Sequence, residues 1–152
     1  MQLTLAFLEA EAASLILPRF DEAAALRLGL ILTDLAQGMP VVINIRNANR
    51  CFFHAALPGA QAGNDNWARR KSNTVLMTGR SSMAVGLKNA ARGVTLARDG
   101  LAEADYADHG GAVPVMVAGV GMVAVATVSG LPQEDDHALV AKALSVLLAE
   151  LS

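Results

Sequence analysis

Two pairs of apolar runs, each joined by a turn of only a few residues, constrain this chain more than any other feature. Val41-Val42-Ile43-Asn44-Ile45-Arg46 is followed by Asn47-Ala48-Asn49 and a returning run from Arg50 to Leu57, closed by Pro58-Gly59. Val113 to Val117 and Met122 to Ser129 flank Ala118-Gly119-Val120-Gly121 in the same way. Asn and Gly tolerate the left-handed conformations that tight turns require. A parallel crossover needs about a dozen residues or more, so parallel pairing inside either unit is excluded and both read as β-hairpins. In the first, alternation puts Val41, Ile43 and Ile45 on one face and Val42, Asn44 and Arg46 on the other.

The segments around the hairpins carry helical signals. Residues 2–11 read as a short helix, and Ala13-Ser14-Leu15-Ile16-Leu17 as a strand ended by Pro18. Asp21 is a natural N-cap for a helix from Ala23 to Gln37, with Gly38 as its stop. Leu28, Ile31, Leu32 and Leu35 give that helix a wide apolar face suited to a sheet, and Gly29 within it marks a close approach to a neighbour. A polar helix follows between Gly63 and Gly79, then one capped by Ser81-Ser82 that runs to about Asn89. Residues 92–111 read as loop. A last helix follows Gly130-Leu131-Pro132, with Leu139, Ala143, Val146 and Leu147 as its apolar stripe.

The resulting order, β–α–β–β–α–α–β–β–α, predicts an α+β, profilin-like domain with a mostly antiparallel five-stranded sheet and helices packed on it. One domain over residues 1–152 accounts for the length. With 53% hydrophobic residues the chain has ample material for a core, which excludes wholesale disorder. A formal charge of -2, from 12 Lys+Arg against 14 Asp+Glu, argues against a nucleic-acid partner. The single cysteine, Cys51, excludes an internal disulfide or a multi-cysteine metal site and reads as a small buried or half-buried hydrophobe. The apolar start lacks a basic leader and is interrupted by Glu9 and Glu11, and the run Val113–Val128 falls short of the ~20 residues of a membrane helix. A cytoplasmic protein with no membrane partner is expected.

Chemistry concentrates in the stretch Asn64 to Asn73. Trp67, Arg70 and Lys71 fall at i, i+3 and i+4 and share a helix face, with Asn64 one turn earlier. An aromatic plane beside two cations near a helix N-terminus suits a planar anion, a carboxylate or a phosphate. The competing reading makes the same face a subunit contact, since Trp and Arg are enriched at protein interfaces. Asp135-Asp136-His137 stands at the start of the last helix, where acids cap and match the dipole. Asp136 or His137 would alternatively line a pocket shared with the Trp67 helix. His54, on the second strand, is a candidate axial ligand or a satisfied interface histidine. Strand alternation is expected to turn Cys51 and His54 to opposite faces, which disfavours a Cys–His pair. His109 is assigned to a loop, and like His54 and His137 it could ligate iron or act as acid or base near neutral pH. No two histidines have metal-ligand spacing, so no metal site is expected. Ser81-Ser82 and Ser129-Gly130 do not match a nucleophile elbow, and Gly119-Val120-Gly121 precedes no helix that could hold a pyrophosphate.

Taken together, Asn66-Trp67-Ala68-Arg69-Arg70-Lys71-Ser72-Asn73, Ser81-Ser82, Gly110-Gly111-Ala112-Val113-Pro114-Val115 and Val128-Ser129-Gly130-Leu131-Pro132-Gln133-Glu134-Asp135-Asp136-His137 resemble one family. It is the uncharacterised branch of the GlcG/HbpS-like proteins, often labelled a haem-degrading domain. The resemblance runs from about Leu5 to the end and implies a profilin-like sandwich that assembles into homo-oligomers, with relatives that bind haem or iron. No haem-ligating motif carries over residue by residue.

Two functions are expected from these observations. In the first, a homo-oligomer binds haem or another small anionic ligand in a subunit-lined pocket. There Trp67 stacks on the ligand, Arg70 and Lys71 meet its carboxylates, Asn64 and Asp136 line the site, and His137 or His54 supplies the polar or axial group. In the second, the Trp67 face serves assembly or partner binding with no ligand chemistry. A third reading, a hydrolase or oxidoreductase using His137 with Asp136, has no nucleophile or redox motif to identify its reaction.

Overall fold

The structure is a computed structural model describing residues 3–152. The beginning of the helix expected at residues 2–11 lies outside them. α1 (Leu5–Ser14) starts at Thr4, whose side chain accepts from Phe7 N–H at 3.1 Å. α2 (Glu22–Leu35) starts at Asp21, which accepts from Ala24 N–H at 2.8 Å. β1 (Val42–Arg46) and β2 (Cys51–Ala56) form the first hairpin. α3 (Ala62–Thr78), α4 (Ser82–Arg92) and a short 3₁₀ turn (Leu96–Asp99) lead to the second hairpin, β3 (Ala112–Val117) and β4 (Gly121–Ser129). α5 (Gln133–Leu151) ends the chain's regular structure.

Among the described residues the sheet has four strands, in the order β2-β1-β4-β3, all antiparallel. The fifth strand expected at 13–17 does not form. Ala10, Ala12 and Ala13 are strong helix formers and carry α1 through to Ser14. Only Leu17 pairs, as an isolated parallel bridge to Val117, and Pro18, without an N–H, stops the ladder there. Leu17 is fully buried nonetheless.

Helices cover both faces. Ile43 and Ile45 of β1, Val113 and Val115 of β3 and Ala124, Ala126 and Val128 of β4 pack against Leu28, Ile31 and Leu32 of α2 and Val140, Leu144 and Leu147 of α5. Gly29 is where α2 meets β2: a Cβ there would overlap the Phe53 ring. On the opposite face Val125 and Ala112 meet Val75 of α3. α3 is also tied to β1 by Arg46, whose guanidinium donates to Ser72 Oγ at 3.0 Å and to Asn73 Oδ1 at 2.5 Å. α1 rests on α4 through Leu8, Met83 and Ala84.

Candidate functional site

The polar residues of α3 turn out to be a clamp for the segment that follows the 3₁₀ turn. Arg69 donates to Ala104 O at 2.8 Å and to Asp105 Oδ1 at 3.0 Å. Arg70 donates to Glu103 O at 2.8 Å and to Tyr106 O at 3.4 Å. Asn73 Nδ2 reaches Asp105 O at 2.8 Å, and Thr74 Oγ1 accepts from Ala107 N–H at 3.0 Å. Residues 103–107 are thereby zipped along one helix.

Lys71 completes the clamp from below. Its Nζ donates to Gly110 O at 3.0 Å, Val128 O at 2.9 Å and Asp136 Oδ2 at 3.2 Å. Asp136 also accepts from Leu131 N–H at 3.0 Å and Gly130 N–H at 3.3 Å. Burial lowers the Lys71 ammonium from its ordinary value, against the pull of Asp136, and raises the Asp136 carboxyl, against the pull of Lys71 and the two N–H groups. Gly111 is required here on two counts: its φ is 136°, and a Cβ would overlap Lys71 Nζ and Val128 O.

The clamp delivers His109 to Trp67. The two rings meet edge to face, centroids 5.1 Å apart at 79°, while the Arg70 guanidinium sits 4.4 Å from the Trp67 centroid. A pocket of about 410 Å³ opens on one side of this pair, lined by Asn64, Trp67, Lys71, His109, Gly110, Ser129, Gly130, Leu131, Gln133 and Asp136. A second, of about 260 Å³, lies on the other side and includes Arg70 and Tyr106. His109 is exposed, and among the described residues its ring makes no hydrogen bond.

Of the residues singled out from the sequence, the structure brings Asn64, Trp67, Lys71 and Asp136 to one pocket and sends three elsewhere. Arg70 faces the smaller pocket, its guanidinium engaged by backbone carbonyls and Trp67. Both cations expected to meet a ligand's carboxylates are thus already committed. His137 lies on the far side of Asp136, only 2% exposed, with Nε2 2.6 Å from Glu11 Oε1. His54 sits on β2 against α3, Nε2 2.9 Å from Asp65 Oδ1 and Nδ1 3.1 Å from Asn44 Nδ2.

Cys51 and His54 do not face opposite ways. The ladder pairs Ile45 with Phe53 but Arg46 with Cys51, so Phe52 is an extra residue in β2, and this bulge returns Cys51 to the face that His54 occupies. Asn44 Nδ2 lies 3.7 Å from Cys51 Sγ and 3.1 Å from His54 Nδ1. Cys51 is exposed, not a buried hydrophobe, because β2 is an edge strand and the bulge lies at its start. No group of three or more His, Cys, Asp or Glu positioned for a metal ion occurs among the described residues.

His109, one of three histidines able by residue type to ligate iron or move a proton, was left out of the pocket expected from the sequence. Its only local signal is its place between Asp108 and Gly110-Gly111, and its partner Trp67 is 42 residues away in the chain. Gln133 was also passed over; its Oε1 accepts from Gly110 N–H at 2.9 Å and closes the pocket floor.

Comparison with known proteins adds a lineage to this geometry. A family model described as "Haem degrading protein HbpS-like" matches residues 20–145. The UPF0303 protein of Rhizobium etli is 47% identical over 133 residues, 86% of this chain and 81% of that protein. The crystal structure of Ybr137w protein superimposes with a TM-score of 0.88 at 30% identity, covering 99% of this chain and 90% of that one. The crystal structure of a PduOC:Heme complex has the same fold, with a TM-score of 0.71 at 18% identity over 83% of this chain and 93% of that one.

Proposed function

This chain belongs to the HbpS-like family of haem degrading proteins, and from that membership and the Trp67–His109 pocket we propose that it binds a small planar ligand, haem foremost. The carrying observation is His109: an imidazole without a hydrogen bond among the described residues, edge-on to an aromatic plane and open to a pocket of about 410 Å³. A haem requires an axial donor and an apolar or aromatic wall, and this pair fits both demands. When bound, haem iron supplies one-electron and oxygen chemistry. His109 would hold the iron, Trp67 would flank the macrocycle, and Arg70 and Lys71 would position the loop that carries His109. Asn64 and Gln133 offer neutral carboxamides in place of the cations expected for the ligand's acidic groups.

The same reading has the protein act as a homo-oligomer in the cytoplasm. Leu26 and Leu30, one turn apart on α2 and 53% and 46% exposed, support an apolar contact between copies. An unpaired, exposed Cys51 suits a reducing compartment. No helix among the described residues is long and apolar enough to cross a membrane.

A haem titration followed by absorbance tests the ligand. Wild type is expected to give a saturable Soret shift, one haem per subunit or per interface. His109→Ala is expected to abolish it and Trp67→Ala to weaken it, whereas His54→Ala, in a separate cluster, leaves it unchanged. An equal, non-saturating shift in every variant removes haem from the reading. The second reading, an assembly protein without ligand chemistry, draws on Trp67 itself, which is 37% exposed. It requires Trp67→Ala to dissociate the oligomer, as measured by light scattering.

A further inference from the structure

Two carboxamides in the Trp67–His109 pocket are held in a fixed sense by backbone N–H groups. Asn64 Oδ1 accepts from Gln61 N–H at 2.9 Å, and Gln133 Oε1 accepts from Gly110 N–H at 2.9 Å. An N–H bonds only the oxygen of a carboxamide, so the NH₂ of each side chain is left as a donor. Both residues line the pocket, and among the described residues neither NH₂ has an acceptor.

Ser129 adds a third donor. It lies on β4 four residues after Val125, which packs on Val75 of α3, so alternation turns it to the α3 side, where the pocket is. The residue is 3% exposed, and its Oγ has no hydrogen-bond partner among the described residues. Thr127 Oγ1, two residues earlier, is sealed off and unpartnered, whereas Ser129 Oγ keeps access to the pocket. A hydroxyl so deeply set and unpaired calls for a partner from outside the chain.

The lysine and the aspartate of this lining cancel. Lys71 spends its three donors on Asp136, Gly110 O and Val128 O, and Asp136 spends its oxygens on Lys71 and two backbone N–H groups. A carboxylate can use the three free donors but finds no free ammonium or guanidinium among the lining groups, and desolvating an uncompensated charge is costly. An uncharged carbonyl meets the same donors without that cost. Trp67 supplies an aromatic wall. We propose that Asn64, Ser129 and Gln133 form a recognition site for the carbonyl edge of an uncharged planar ring, a lactam or cyclic imide. The three donors select the ring by its acceptors and not by negative charge. This reading shares the pocket with the proposed haem site and needs neither iron nor His109.

Three aromatic probes test it: 1,8-naphthalimide, an uncharged ring system with two carbonyls; acenaphthene, which keeps the fused rings and has none; and 1-naphthoate, an anion. Calorimetry on the full chain is expected to show saturable binding of naphthalimide, one per chain. The other two should bind at least about tenfold more weakly, acenaphthene because it leaves the donors unpaired and naphthoate because it lacks a countercharge. The side-chain amide resonances of Asn64 and Gln133 should shift with naphthalimide and not with acenaphthene. Asn64→Asp and Gln133→Glu each keep the oxygen that the backbone N–H bonds and replace the NH₂ by a second acceptor. Each should weaken naphthalimide about tenfold, leave acenaphthene unchanged and keep the urea midpoint near that of wild type. His109→Ala, which removes the axial donor proposed for haem, should retain the preference for naphthalimide over acenaphthene, so the two readings fail separately. Absence of saturable naphthalimide binding, equal affinity for acenaphthene, tighter binding of naphthoate, or naphthalimide affinity unmoved in both carboxamide variants would each overturn the proposal.

Discussion

Lys71 Nζ lies 3.2 Å from Asp136 Oδ2, in an ion pair whose side chains are 3% and 4% exposed. It joins the middle of α3 to the start of α5, while the remaining donors of Nζ hold the carbonyls of Gly110 and Val128. Breaking a buried pair from one side strands the other charge, so Asp136→Asn is expected to cost about 3–5 kcal/mol in chemical denaturation. The deficit should shrink as pH rises. Burial already lowers Lys71 below its ordinary 10.5, and loss of the carboxylate lowers it further. Between the folded value and that of the unfolded chain the native state binds fewer protons, so stability climbs with pH across that window. A deficit that stays constant from neutral to alkaline pH would contradict this account.

Arg70→Ala removes two bonds to the carbonyls of Glu103 and Tyr106 and the cation over Trp67. The expected result is local: faster amide exchange across 103–110, a global loss of about 1–2 kcal/mol, and weaker haem binding although Arg70 faces away from the larger pocket. Unchanged haem affinity with a loosened loop would show that the position of His109 does not govern binding.

A methyl group at Gly29 overlaps the Phe53 ring. Gly29→Ala is therefore expected to destabilise by about 1–3 kcal/mol, despite the better helix propensity of Ala. Phe53→Leu in the same chain should recover part of the loss, and additive effects of the two changes would exclude the clash as the cause.

Arg27 and Glu150 pair at 2.8 Å between α2 and α5. The hydrogen bond from Arg27 holds the Glu150 carboxyl below its ordinary 4.5. A depressed carboxyl adds stability above its unfolded value and loses it as pH falls through the folded one. Glu150→Gln should thus narrow the difference in urea midpoint between neutral and acidic pH, by a small amount that salt suppresses because the pair is exposed.

Much of the architecture was legible locally. Asp21, Ser81 and Gly79 mark helix ends in the sequence and serve as caps in the structure, because capping depends on residues three or four positions apart. The two hairpins follow from alternation and short turns. The expected strand at 13–17 failed because three alanines extended a helix into it and Pro18 left Leu17 with a single bridge. The Cys51–His54 geometry failed for a related reason. Alternation assumes an unbroken ladder, and the one extra residue at Phe52 reverses the face of everything before it.

The candidate site divides along the same line. By itself the sequence determined that Asn64, Trp67, Arg70 and Lys71 cluster on α3, since helical spacing alone brings them together. Only the tertiary structure decided what they do. The acceptors of Arg70 and Lys71 are mostly backbone carbonyls 33 to 57 residues away, and a carbonyl is common to every residue type and leaves no trace in the sequence. For the same reason the sequence did not separate His109, carried to Trp67 by that clamp, from His137, buried against Glu11 of α1. Periodicity assigns a side chain to a face of its own element, and the folding of distant segments decides what lies against that face.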